Sequence, residues 1–511
     1  MIFAINSIKP IIPFRANETA TTQKKSGKAN TTIFYVNDIH GIMGNMSRIY
    51  TAKNAFDKTP QQGDVLVLGS GDISAGANSN IVKISDIFLN SIKADATTLG
   101  NHEFDANPDQ IADAHDGSRY KYLGLNIDIT GENNPLEKHI LKSTIKEIDG
   151  NKYGIIGLIP PDLHKHIRDN KSKETIKPYT KEQTLQSLQE EVNKLKAQGV
   201  NKIIVLSHCG LQTDKEFAKN TEGVDVILSA HTHELIKGID KDINLLLSKS
   251  NEPVILTQAG KDGEQFGILN LEFNEDGVIT KAQNSIQKSS DFKRNLIMER
   301  VFDEIVGGKD VVGYVEKTVP APKDRLIDPN PHGYLIADAC RKMLGTDLAL
   351  INAGNIRGYF EEGTLTERKV FEVSPLKNRM VTLNLTEAEI IEAIKRGANS
   401  LNTPDHKYGL IFPSGMEYKI STSGKLLSAS FIDKDGIKHP IDVERPDKTK
   451  IYSVAADDFF AAGCNDYIDN KLDQLSQKFD FDKDKLTCDY IRQAKEPIQL
   501  KDDGRIKILE A

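Results

Sequence analysis

Five times in the first half of the chain, an apolar, β-branched run ends in a short polar motif rich in Asp, Asn and His. The run at 33–36 leads into Asn37-Asp38-Ile39-His40-Gly41, and the run at 65–68 into Gly71-Asp72. The run at 94–99 leads into Gly100-Asn101-His102-Glu103-Phe104-Asp105. Residues 203–206 are followed by Ser207-His208, and 224–228 by Ser229-Ala230-His231-Thr232-His233. A further strand-like run lies at 254–257. Helical patterns separate several of these runs. Over 181–200, Leu185, Leu188, Val192 and Leu195 recur at three- and four-residue steps, and Gly199 offers a stop. Short buried strands alternating with amphipathic helices predict an α/β sandwich. In such sheets the carboxyl ends of the strands open onto one crevice. The pattern therefore gathers two Asp, one Asn and five His in one place: Asp38, Asp72, Asn101, His40, His102, His208, His231 and His233.

Carboxylate, amide oxygen and imidazole together suit Zn, Mn, Fe and similar divalent ions. The number of ligands exceeds what one ion takes and points to two ions sharing a carboxylate. In Asp38-x-His40 and His231-x-His233, alternate residues share one direction if the backbone stays extended, or serve one ion each if it turns. Two ions about 3.5–4 Å apart clamp the oxygens of an in-line displacement, a geometry suited to phosphate esters. Taken singly, a His after a strand is usually structural and an Asp there is usually a helix N-cap. The repetition at successive strand ends is what favours a site. His115, His139, His164, His166, His332, His406 and His439 lack that placement and read as ordinary residues.

The second half differs. A hairpin pattern at 267–273 turns at Asn274-Glu275-Asp276-Gly277, a charged stretch at 289–304 has helical spacing, and 319–323 (VPAPK) breaks regular structure. This places a domain boundary there. Beyond it, 335–344 and 387–396 read as helices, and 348–351, 380–385, 451–455 and 505–509 as strands. A chain of 511 residues accommodates such a division. Its net charge of −7 argues against a polybasic nucleic-acid binder. Cys209, Cys340, Cys464 and Cys488 form no CxxC pair, which excludes a zinc ribbon. No apolar run reaches the length of a membrane-spanning helix. Residues 15–30 are polar and read as a flexible leader, and the preceding segment lacks the basic start of an export signal.

The ordered set Asp38-x-His40, Gly71-Asp72, Gly100-Asn101-His102-Glu103, His208 and His231-x-His233 resembles the calcineurin-like metallophosphoesterases. Gly-Asn-His-Glu-Phe-Asp at 100–105 is similar to their 5′-nucleotidase branch, which includes UDP-sugar hydrolases and 2′,3′-cyclic-nucleotide phosphodiesterases. Asn352-Ala353-Gly354-Asn355-Ile356-Arg357 and Asp503-Gly504-Arg505-Ile506 resemble that branch's second domain. The resemblance covers about residues 31–510. It implies a leader over 1–30, a four-layer α/β/β/α metallophosphatase sandwich over 31–286, a helical linker over 287–325 and a mixed α/β substrate-binding domain over 326–511.

By the same resemblance, one ion is held by Asp38, His40, Asp72 and His233, and the other by Asp72, Asn101, His208 and His231. Zn or Mn is expected, with Fe, Co and Ni also compatible. His102 is expected to act with Asp105 on the phosphoryl group while a metal-bound hydroxide attacks phosphorus. Arg357 and Asn352 are expected to bind substrate phosphate, and Phe459 to stack on a nucleobase. The second ring of the family's base clamp falls at Leu410, where Phe412 substitutes only if the loop shifts, and Asn465 stands where relatives carry Asp. The reading is a hydrolase of nucleotides; the alternatives are cyclic nucleotides, nucleotide sugars or another organic phosphate, a thiosulfohydrolase-like activity, or a silent binding protein on the same fold. Relatives are commonly periplasmic, wall-bound or secreted, while the weak export signal here leaves the compartment open.

Overall fold

The computed structural model describes residues 12–13 and 28–510, except 62, 77, 132–133, 166, 168–169, 242, 377, 404–408 and 495. His166 and His406 lie outside the described residues, as does most of the leader expected over 1–30. That leader is corrected at its end, because Ala29 and Asn30 already belong to the strand Ala29–Val36 and pair with Phe273 and Glu272. The chain divides into two compact units, Met1–Ile305 and Val306–Ala511.

The first unit is built on two sheets. One runs in the order Ile12–Pro13, Ile279–Lys288, Gln265–Phe273, Ala29–Val36, Asp64–Gly69, Ala96–Thr98, Lys121–Leu123, Ile140–Leu141. The other runs Leu245–Leu247, Pro253–Thr257, Val226–Leu228, Lys202–Ser207, Asn151–Leu158, Ser143–Ile148. Successive side chains of a strand point to opposite faces, so an unbroken apolar run can bury both. Ile33, Tyr35, Leu66 and Leu68 of the first sheet pack against Ile155, Ile204, Leu206 and Leu228 of the second. The alternate residues Ile156, Leu158, Ile203 and Val205 pack on Leu188, Val192 and Leu195 of the helix Lys181–Ala197. On the far side, the Phe34 ring lies 5.5 Å from that of Phe56 in the helix Met43–Lys58. The result is the expected helix–sheet–sheet–helix stack.

Local signals explain most element ends. Thr180 and Gln183 form a reciprocal capping box at the start of Lys181–Ala197, and Gly199 takes the left-handed conformation just past its end. The strand Asn151–Leu158, central to the second sheet, escapes the sequence reading because Gly154 and Gly157 interrupt its apolar run. Gly157 is required, because a Cβ there would collide with the Leu123 backbone, whereas one at Gly154 would only crowd the tip of the Leu195 side chain. The charged stretch at 289–304 is not one helix. Ser289–Asp291 forms a short 3-10 turn, and the helix Leu296–Val306 starts only where Asn295 Oδ1 accepts the N–H groups of Ile297 and Met298.

The second unit has a five-stranded sheet in the order Ile411–Ser414, Leu348–Asn352, Ile451–Asp457, Arg379–Thr386, Leu475–Asp482. Beside it stands a four-stranded sheet of Lys438–Ile441, Leu426–Ile432, Met416–Ser421 and Ile506–Leu509. The helices Pro331–Leu344, Glu387–Ala398 and Lys483–Gln493 complete one continuous core. The motif Asp503-Gly504-Arg505 does structural work here. Arg505 makes a bidentate pair with Asp338 at 2.7 and 2.9 Å and lies over the Tyr334 ring, tying the last strand to the helix Pro331–Leu344.

Candidate metal centre

The ligand-bearing loops leave the carboxyl ends of strands in both sheets and turn sharply. Asp38, His40, Asp72, His231 and His233 all take positive φ, between 49° and 79°, a region that non-glycine residues seldom occupy. The extended alternative for the two x-spaced motifs is therefore excluded; the backbone turns. The turns are stitched to one another. Asp38 N–H donates to Gly71 O at 3.0 Å and His40 N–H to Asp72 O at 2.8 Å. His231 N–H donates to the Asp38 carboxylate at 3.2 Å, joining the second sheet's loop to the first's.

Strand ends in this arrangement bring the donor atoms together. His40 Nε2 lies 3.5 Å from Asp72 Oδ2, His208 Nε2 3.1 Å from Asp72 Oδ2, and His233 Nε2 3.5 Å from Asp38 Oδ1. Three sets can each place one donor atom per residue within 4.8 Å of the others: Asp38–His40–His233, His40–Asp72–His102 and Asp38–Asp72–His208. The His231 ring stands 5.1 Å from that of His208. Asn101 Oδ1 is buried without a hydrogen-bond partner. Such an orphaned oxygen beside carboxylates and imidazoles fits the demand of a divalent cation.

The distal atoms of these ligands are tied down. His40 Nδ1 bonds Asp262 Oδ1 at 2.9 Å, and His208 Nδ1 donates to Ser70 O at 2.8 Å, which presents each Nε2 to the centre. Asn37 Nδ2 donates to Asp38 Oδ2 at 2.7 Å and to Gly260 O at 2.9 Å. His102 Nδ1 bonds Asp105 Oδ2 at 2.7 Å, and the His102 side chain remains 30% exposed. Glu103, given no role by the sequence reading, is the most heavily used group. Its buried carboxylate accepts N–H bonds from Asp72, Ile73, Ser74 and Gly100 at 2.7–3.0 Å. Asp262 was likewise missed, since nothing in sequence links it to a residue 222 positions away; its own positive φ of 57° is the one local trace. Gly71 and Gly100 pack face to face at this point, and neither has space for a side chain.

Charge in the centre is strongly coupled. Burial opposes protonation of His40, but Asp262 and Asp72 outweigh it and push its pKa up to about 9. His208 is pushed up to about 10, against burial, chiefly by Asp72. Burial, aided by His208, takes His231 down to about 4. Asp38 and Asp72 fall below the ordinary carboxylate range, because the surrounding imidazoles overcome the burial that would raise them.

The second unit places its sequence candidates as follows. Asn352 ends the strand Leu348–Asn352 and is buried. Its Oδ1 accepts from Asn355 Nδ2, which also donates to Asp457 Oδ2 at 2.8 Å. Arg357 Nε donates to Gly354 O at 2.9 Å, fixing the guanidinium against its own loop. Phe459 is half-buried in the short helix Asp458–Ala461. Leu410 and Phe412 are wholly buried, and the Phe412 ring packs at 5.8 Å on Tyr334. Phe412 is therefore a core residue, and the substitute stacking ring considered from the sequence is ruled out. Asn465 takes a positive φ of 60° in the loop after Phe459.

Residues 31–235 match the calcineurin-like phosphoesterases, and residues 311–470 match the 5′-nucleotidase C-terminal domain. The fold of the first unit is that of a calcineurin-like metallophosphoesterase. With both domains present over more than half of its length, the chain belongs to the 5′-nucleotidase family. The trifunctional nucleotide phosphoesterase protein of Bacillus subtilis is 25% identical over 501 residues, 87% of this chain and 32% of that protein. An apyrase of Anopheles gambiae is 25% identical over 486 residues, 84% of this chain and 82% of its own. The chain thus spans about a third of the Bacillus relative and most of the mosquito one. A 5′-nucleotidase precursor from Thermus thermophilus shares the fold with a TM-score of 0.71 at 23% identity, over 94% of this chain and 100% of that one.

Two outcomes follow from the geometry. Because His40 and His208 have raised pKa values in the metal-free centre, both are protonated at pH 7 and a cation must displace their protons. Metal binding at pH 7 should release about two protons and tighten as pH rises towards 9; calorimetry in buffers of different ionisation enthalpy measures this, and binding without proton release would contradict it. Glu103→Gln keeps the shape but leaves backbone donors unmatched, so metal affinity should drop by about 10- to 100-fold, read by metal titration with thermal unfolding as the stability control.

Proposed function

We propose that the protein hydrolyses phosphate esters of nucleotides, using two divalent ions held in the first unit. One observation carries this reading: Asp38 and Asp72 each belong to two of the three converging donor sets, so the cluster offers more ligands than one ion uses. Asp72 is the shared carboxylate. Asp38, His40, Asp72 and His233 hold one ion, and Asp72, Asn101, His208 and His231 hold the other. Zn and Mn suit these donors best, with Fe, Co and Ni next. When bound, such ions neutralise phosphate charge and lower the pKa of water.

The chain's own residues supply the rest. With Nδ1 of His102 engaged by Asp105, its Nε2 is the atom available to a phosphoryl or leaving-group oxygen. Asp105 positions the ring. In the second unit, Arg357 offers a planar fork to phosphate, and Asn352, its Oδ1 already engaged by Asn355, offers an amide donor. Phe459 offers one face for a base. The nucleotide assignment is supported by the relatives, whose names include nucleotide phosphoesterase, apyrase and 5′-nucleotidase. A second reading, broader tolerance for cyclic nucleotides, nucleotide sugars or other organic phosphates, is favoured by the burial of Phe412, which takes that ring out of reach of a substrate.

A panel of nucleotides, cyclic nucleotides, nucleotide sugars and sugar phosphates, assayed with each metal, tests the proposal; no turnover on any nucleotide would overturn it. His102→Ala should retain metal while kcat falls by about 10²- to 10⁴-fold, whereas Asp72→Ala should lose metal and activity together. Loss of metal in His102→Ala would make that residue a ligand. Arg357→Ala should lower kcat/KM by about tenfold or more, through KM, and steady-state kinetics on a nucleoside monophosphate that match the unsubstituted protein would remove Arg357 from the site.

A further inference from the structure

The first unit carries a second cleft, of about 390 Å³, at the opposite ends of its strands from the metal ligands. Its lining includes Lys93, Asp95, Arg119, Lys121, Lys146 and Ile155. Asp95 immediately precedes the strand Ala96–Thr98, and Lys121 opens the parallel strand Lys121–Leu123. The motif holding Asn101 and His102 leaves the carboxyl end of that same Ala96–Thr98 strand. The cleft is therefore separate from the candidate metal centre.

Its charge runs against the rest of the molecule. In a chain of net charge −7, four cationic side chains stand here around one carboxylate. That carboxylate is already engaged: Asp95 Oδ1 lies 2.9 Å from Lys146 Nζ, and Oδ2 accepts the Val67 N–H at 2.9 Å. Lys93 reaches Asp57 at 3.4 Å but is 77% exposed, a weakly held pair. Arg119 and Lys121 have no carboxylate within salt-bridge distance among the described residues. The chain that carries them is nonetheless fixed. Ser118 and Tyr120 both donate to Asp86 Oδ1, and the Arg119 N–H donates to Asn90 Oδ1 at 3.0 Å. The cleft's apolar floor is Ile145, 37% exposed, with the buried Ala94 and Ile155 also in its lining.

Exposed cations on an anchored segment, beside an apolar floor and in a volume within the range of small-molecule sites, match an amphiphilic anion of modest size. We propose that this cleft binds a small organic phosphate, with Arg119 and Lys121 on the phosphate and the Ile145 floor against the organic part. Inorganic phosphate alone uses only the first half of that arrangement and binds more weakly.

The test uses the full chain loaded with metal and a non-hydrolysable nucleoside 5′-phosphonate, with bound ligand counted by equilibrium dialysis. Arg119→Ala/Lys121→Ala should bind one equivalent fewer than the unsubstituted protein, while its hydrolysis of a saturating phosphate ester stays within twofold. Asp72→Ala, which disables the metal centre, should keep the equivalent that the double variant loses, so failure of the catalytic reading and failure of this one are distinguishable. Unchanged stoichiometry in Arg119→Ala/Lys121→Ala would overturn the proposal. So would an equal loss in Lys219→Ala/Lys434→Ala, which removes the same charge from exposed positions elsewhere. Inorganic phosphate should bind the cleft at least tenfold more weakly than the phosphonate, and equal binding would refute the role given to the apolar floor.

Discussion

One buried carboxylate holds the ligand loops in register. Glu103 accepts four backbone N–H groups, three from the Asp72–Ser74 turn and one from Gly100. Those donors belong to loops leaving two neighbouring strands, Asp64–Gly69 and Ala96–Thr98. Without an acceptor each of those amides would be a buried donor lacking a partner, a cost of about 1–3 kcal/mol apiece. The neighbouring Asp72 raises the Glu103 pKa in addition to burial, so the backbone bonds work against two unfavourable influences. The tight turn that puts Asp72 at positive φ exists because this clamp over-determines it.

From that clamp outward, the centre is assembled in shells. Asp72 and Asp38 occupy the middle; His40, His208 and His233 surround them; Asp262, Ser70 and Asn37 fix the outer edges. The second unit repeats the principle at smaller scale. Asp457 accepts from Asn355, Asn378 and the Phe460 N–H, and so anchors the loop that carries Asn352 to the one that carries Phe459. In both units, a buried carboxylate sets the position of groups proposed to bind metal or substrate.

The residues that converge at the centre were legible in the sequence because their chemistry is concentrated in motifs of a few residues, each marked by a preceding buried strand. The sandwich was legible for the same reason, since runs such as 203–206 can bury both faces only between two layers. What the sequence concealed is long-range or conformational. Asp262 reaches His40 across 222 positions, and no local pattern announces it. Glu103 sat inside a recognised motif, yet its use as a backbone acceptor depends on where the 72–74 turn lies in space. The strand Asn151–Leu158 was hidden by glycines, one of them demanded by close packing with Leu123. Phe412 kept its aromatic identity but faces the core, a distinction that depends on strand register in Ile411–Ser414.

The proposed metal ligands are divided between the two sheets: Asp38, His40, Asp72 and Asn101 follow strands of one, and His208, His231 and His233 follow strands of the other. Cations held jointly by both sets would act as a fastener across the top of the sandwich, adding bonds between layers otherwise joined mainly by apolar contact. Loading state would then be felt mechanically as well as chemically, with the metal-free protein gaining freedom for one sheet to slide on the other. A chain of this design carries its catalytic equipment at the seam of its own architecture.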